Sequence, residues 1–174
     1  MLRRSFIRIG VVTTALACAG WMSENAFSQQ KSLKDQMVGM WTLASADTTD
    51  KDGKKTPFLD GTDIKGMLVF GANGKMMFQA LSNSIPMIAS KDRMNTTAQE
   101  EKAVAHGTLS YWGTYSVSEP DGVVTLKIER STFPNQTLAD GKRIIKMSGA
   151  DDMKWETPNR SAGGRNDLVW KRVK

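Results

Sequence analysis

Two arginines and two tyrosines stand at positions where a β-strand would turn them inward. In Val124-Thr125-Leu126-Lys127-Ile128-Glu129-Arg130, the apolar parity ends on Arg130, while Thr125, Lys127 and Glu129 take the wet side. Arg143 shares its parity with Ile145 and Met147, and Tyr111 and Tyr115 share theirs with Leu109 and Val117. Successive strand residues face opposite sides, so these spacings aim guanidinium and phenol groups at an interior. An unpaired charge buried there costs several kcal/mol, so each arginine needs a carboxylate of the protein or a ligand anion seated in its fork. The alternative is that both arginines stand at strand ends and reach water past their own apolar stems. On the first reading Arg130, Arg143, Tyr111 and Tyr115 form a head-group site, with Phe78, Leu126, Ile128 and Met147 around the apolar part of a ligand.

Other chemistry is thinly provided for. His106 is the single histidine, and its neighbours in sequence supply neither a nucleophile nor a metal-binding partner. It reads as a helix-end histidine favoured by the helix dipole. Without a second histidine or a cysteine outside the leader, the sequence argues against a structural zinc site. Asp50, Asp52 and the pair Asp151-Asp152 read as turn residues, with calcium ligation the alternative. No glycine cluster follows a strand and opens a helix, so no phosphate loop or dinucleotide fingerprint is present. No metal and no cofactor are expected. Met40, Met67, Met76, Met77, Met147 and Met153 fall in predicted strands, either as ordinary core or as the adaptable lining of a cavity.

The elements that must position these residues begin after a leader. Arg3-Arg4 opens a basic start, an apolar run from Ile9 to Trp21 follows, and Ala26-Phe27-Ser28 offers small residues for cleavage before Gln29. The run is shorter than the roughly 20 residues a membrane span needs. The arginine pair resembles a twin-arginine export signal, placing a domain of residues 29–174 in the periplasm or outside the cell. Cys18, the only cysteine, lies inside the leader; lipid attachment at Cys18 is the competing reading. The formal charge is +6, and removing Arg3, Arg4, Arg8 and Glu24 takes away a net +2, leaving +4. The remaining cations are scattered, whereas a nucleic-acid footprint needs a basic stripe.

Beyond the leader, Gln30 to Gln36 predicts a short helical turn. Met37 to Ser45 predicts a first strand with Gly39, Trp41, Leu43 and Ser45 on one face. A long polar loop follows, then a hairpin over 66–81 with the turn Gly71-Ala72-Asn73-Gly74. Thr97 to His106 is the one strong helix signal, with a Thr97/Glu100 capping box and Gly107 as its stop. Strands over 108–117, 123–130, 143–147, 153–157 and 168–173 complete eight. An all-β, eight-stranded antiparallel up-and-down barrel with one short helix accounts for this series, since pairing the first strand with the last removes both edges.

The same residues carry a resemblance. Gly39-Met40-Trp41 is similar to the Gly-x-Trp signature of lipocalins, where the tryptophan packs at the closed end of the barrel under a basic residue of the last strand. Arg172 is the candidate for that residue, with Gly39, Trp41 and Trp170 completing the closure. The chain more closely resembles the bacterial lipocalin-like domain family. The similar pieces are Val38-Gly39-Met40-Trp41-Thr42-Leu43, Lys65-Gly66-Met67-Leu68-Val69-Phe70, Tyr111-Trp112-Gly113-Thr114-Tyr115-Ser116-Val117, Ser131-Thr132-Phe133-Pro134-Asn135, and Ser161-Ala162-Gly163-Gly164 before Val169-Trp170-Lys171-Arg172. The resemblance implies a lipocalin-like barrel and assigns no activity, because fold alone does not license function.

The expected role is therefore binding of a small, mostly apolar or amphipathic molecule, with room for a carboxylate or other polar head. Two readings of other classes stand beside it. One is a cavity enzyme catalysing an isomerisation or cyclisation with Tyr111, Tyr115 and Arg130 as polarising groups. The other is an interaction module using the long loop and the 82–97 segment. Cavity volume separates them: ligand pockets run to roughly 300–1,000 Å³, and a barrel plugged by Trp41, Trp112, Trp155 and Trp170 would leave far less.

Overall fold

The computed structural model describes residues 31–138, 141–160 and 163–174. The leader read over 1–28, with Cys18, lies outside them. Nine antiparallel strands form one sheet: β1 (Gly39–Thr49), β2 (Lys55–Pro57), β3 (Ile64–Phe70), β4 (Lys75–Ser82), β5 (Thr108–Ser118), β6 (Val123–Ser131), β7 (Gly141–Ser148), β8 (Asp152–Thr157) and β9 (Arg165–Arg172). Strands β3 to β9 follow one another in sheet order, and β1 pairs with both β3 and β9. The result is the closed eight-stranded up-and-down barrel expected of the sequence. The ninth strand, β2, was not expected: Lys55–Pro57 lies within the long polar loop and pairs with the far end of β1.

The strands are amphipathic because one face meets the core, and β4 shows this most cleanly with Met76, Phe78, Ala80 and Ser82 buried and the intervening residues exposed. Strand parity breaks at two places. A bulge between Leu43 and Ser45 in the β1–β9 pairing shifts the inward face, so Ser45 is exposed and Ala46 and Thr48 turn in. A second irregularity lies where β6 faces Trp112 and Gly113 of β5: Gly113 pairs with Ile128, but Trp112 pairs with Arg130. One extra residue of β6 is accommodated there, which sends Arg130 to the outer face. Gly113 makes this possible, since a Cβ at that position would lie 2.1 Å from the Lys127 carbonyl oxygen.

Two α-helices among the described residues lie at the barrel's ends. Helix α1 (Leu33–Met37) is capped by Ser32, and the Glu119 carboxylate accepts from the backbone amides of Leu33 and Lys34. Helix α2 (Ala98–Gly107) carries both halves of the Thr97/Glu100 capping box. Gly107 does not stop it through a left-handed conformation; it is the last helical residue, and a Cβ there would press to 2.7 Å of Ile85. Among the described residues, no helix is long and apolar enough to cross a membrane.

Candidate functional site

One end of the barrel is sealed. Trp41 is fully buried, its indole N–H donates to the Met37 carbonyl at 2.8 Å, and the Arg172 guanidinium lies 4.1 Å from its ring centroid. Arg172 also donates to the carbonyls of Val38 (2.9 Å) and Ala150 (2.8 Å), so it ties the start of β1 to the β7–β8 turn. Gly39 holds φ +132°, and a Cβ there would meet Arg172 Nη1 at 2.8 Å. A cation over an indole contributes about 0.5–2 kcal/mol, and the same contact closes the floor. Trp170 is fully buried beside this plug, edge-on to Phe78 at 5.6 Å.

The other end opens. A cavity of about 460 Å³ is walled by Phe78, Tyr111, Ile128, Trp155 and Leu168 and rimmed by Phe58, Leu59, Ala105, Phe133 and Arg160. Residues from three loops and from α2 therefore form the mouth, above walls supplied by β4, β5, β6, β8 and β9. Phe78 stacks parallel on Tyr111 at 4.6 Å and lies 6.2 Å from Trp155. Asn135, Gln136, Asn159 and Asn166 add amides, and no aspartate or glutamate is among the described lining residues.

Arg143 is the charged group set deepest in this wall. It is 7% exposed, and its guanidinium carbon lies 5.7 Å from the Trp155 ring centroid. Nη1 donates to the Lys142 carbonyl at 2.9 Å, while buried Nε has no acceptor among the described residues. No described carboxylate makes a salt bridge to it. Gly141 lines the guanidinium, for a Cβ there would stand 2.8 Å from Nη1. Burial pushes the Tyr111 phenol above its ordinary pKa, and the neighbouring Arg143 charge opposes that shift. Tyr115 is pushed the same way by burial, with the Asp35 charge adding to it.

The eight proposed ligand contacts divide three ways. Arg143, Tyr111, Phe78 and Ile128 line the cavity together. Tyr115, Leu126 and Met147 lie outside its lining: Tyr115 packs on Phe70 and donates to the Gly71 carbonyl at 2.9 Å, and Leu126 is fully buried. Arg130 is exposed, opposite Trp112 on the outer face, and donates to the Glu129 carbonyl; the expectation that it reaches the cavity is corrected by the β6 bulge. Of the two readings of the methionines, core filling holds for Met76 and Met153; no methionine is among the described lining residues, and Met40, Met67 and Met77 are exposed on the barrel's outside. Trp112, counted as a plug, is outside too, which leaves the interior room. Sequence reasoning missed Phe58 and Phe133. The signal available was a large aromatic standing alone in each of two polar loops.

His106 does not join the cavity. Its Nδ1 lies 2.8 Å from an Asp60 carboxylate oxygen, pinning the end of α2 to the first loop. No group of three or more metal-ligating side chains occurs among the described residues.

A closed antiparallel barrel, sealed by a glycine–tryptophan–arginine plug and hollow at its other end, defines the class as a lipocalin-like β-barrel. The chain belongs to the lipocalin-like domain family, whose model matches residues 38–173. That span takes in all eight barrel strands. A comparison with curated proteins finds no match.

Proposed function

We propose that this is an exported barrel that binds a small, mostly apolar molecule in its cavity. The observation that carries the reading is the open-mouthed volume of about 460 Å³ at one end of an otherwise packed barrel, with aromatic and aliphatic side chains on its walls and amides, threonines and two arginines among them. Pockets for small molecules run to roughly 300–1,000 Å³ and set polar groups that orient a ligand among apolar walls. A module built only to present loops to another protein has no use for such a hollow, because unfilled space forfeits packing contacts. Export rests on the leader sequence, with its arginine pair and its small residues before Gln29. The first test is native mass spectrometry of freshly purified protein: a co-purified small organic molecule, released on unfolding, is expected. A protein that emerges empty, and stays empty on exposure to a library of apolar molecules, contradicts the reading.

A further inference from the structure

We infer that the ligand is a small ring-bearing carboxylate, with its head in the fork of Arg143 beside Tyr111 and its ring among Phe78, Trp155 and Phe58. This rests on the reading of the cavity as a binding site and adds the class of molecule it takes. Three observations converge. Arg143 as a residue is more than nine-tenths buried, and its Nε has no acceptor among the described residues. A buried charge left so is costly, and a planar two-oxygen anion satisfies the guanidinium edge better than any neutral group. The described lining holds a second cation, Arg160, and no acid, so the site repels cations and attracts anions from its mouth inward.

The head-group chemistry follows from how few donors are present. One guanidinium fork and one phenol suit a carboxylate, whereas a phosphate would bring more oxygens and more charge than these two groups satisfy. The walls choose the rest of the molecule. Phe78 and Tyr111 stack face to face at 4.6 Å, Phe58 stands edge-on to Phe78 at 6.3 Å, and Trp155 lies beneath Arg143. Flat faces at these angles pack a ring better than a flexible chain, which would also lose more rotamer freedom on entry. The volume lies toward the small end of the pocket range, so a molecule of one or two rings fits and a long acyl chain does not.

The test is a calorimetric titration at neutral pH with naphthoate, its neutral amide, and octanoate. Naphthoate should bind one-to-one and at least about tenfold more tightly than the amide, the factor expected for a charge-assisted hydrogen bond. Arg143→Met should remove that advantage and leave amide binding unchanged. Gly141→Ala retains the charge and disturbs only a flexible side-chain end, so it should fold and still weaken naphthoate more than the amide. Asp140→Asn removes the acid three positions before Arg143 in the sequence and should leave naphthoate binding intact or tighter. Equal binding of naphthoate and amide overturns the head-group assignment, as does carboxylate binding that appears only in Asp140→Asn. Octanoate binding more tightly than naphthoate overturns the ring. If neither naphthalene compound binds, the cavity reading itself fails and the inference falls with it.

Discussion

At the scale of single residues, burial sets the chemistry of both tyrosines. Tyr111 and Tyr115 are the 2 tyrosines of the chain, and both phenols are held above their ordinary pKa by loss of water. A phenol whose pKa rises on folding favours the native state while it is neutral. That contribution is fully present below the unfolded value near 10 and is lost as pH rises through the folded value. Stability should therefore fall as pH climbs past about 10. Tyrosinate absorbance should remain low in the native protein at a pH where the unfolded chain is already ionised. Native absorbance that rises at the ordinary pH of a free phenol would show that these rings are wet. Arg143 marks the contrast with Arg130: both were legible as arginines on an apolar parity, and only Arg143 faces the cavity.

The difference between those two arginines belongs to the scale of elements. Parity counting holds along a strand until an extra residue enters it, and β6 takes one in before Arg130. A trace of this was present in the sequence, for Gly113 is a glycine inside a strand, and such a glycine often marks a bulge or close backbone approach. The β1 bulge near Ala44 had no such mark. Regular elements were legible because their signals are local, as with the Thr97/Glu100 box of α2 and the alternation of β4. The cavity mouth was not, because it is assembled from loops that meet only once the barrel has closed. Two tryptophans test the assignment of faces. Trp41→Ala should cost about 3–5 kcal/mol by emptying the sealed end. Trp112→Ala, on the outer face at 47% exposure, should cost less than about 1 kcal/mol. Denaturant unfolding of the two variants reads the difference directly, and similar losses would contradict the inside–outside assignment.

For the whole molecule, one sealed end and one open end give the barrel a direction. Strand turns, Arg172 and α1 close the floor, while the long connections gather at the mouth with the first loop pinned to α2 by Asp60 and His106. The proposed export is by the twin-arginine route that carries already folded proteins, on the strength of the Arg3-Arg4 start in the sequence. N-terminal sequencing of the exported protein should begin at Gln29, and replacing Arg3 and Arg4 by lysine should block export. A product beginning with lipid-modified Cys18 would contradict the cleavage site, and undiminished export would point to the general secretory route. The central claim is that the hollow in the barrel is where a small apolar molecule binds. Its most direct measurement is fluorescence titration of wild type and Leu109→Trp with the neutral apolar probe N-phenylnaphthylamine. Leu109 lines the cavity and pairs with Ala80, so the larger ring should intrude on the binding space without disturbing the sealed end. The predicted result is one-to-one binding to wild type that is lost in Leu109→Trp at an unchanged melting temperature. Equal binding to both proteins, or none to wild type, would contradict it.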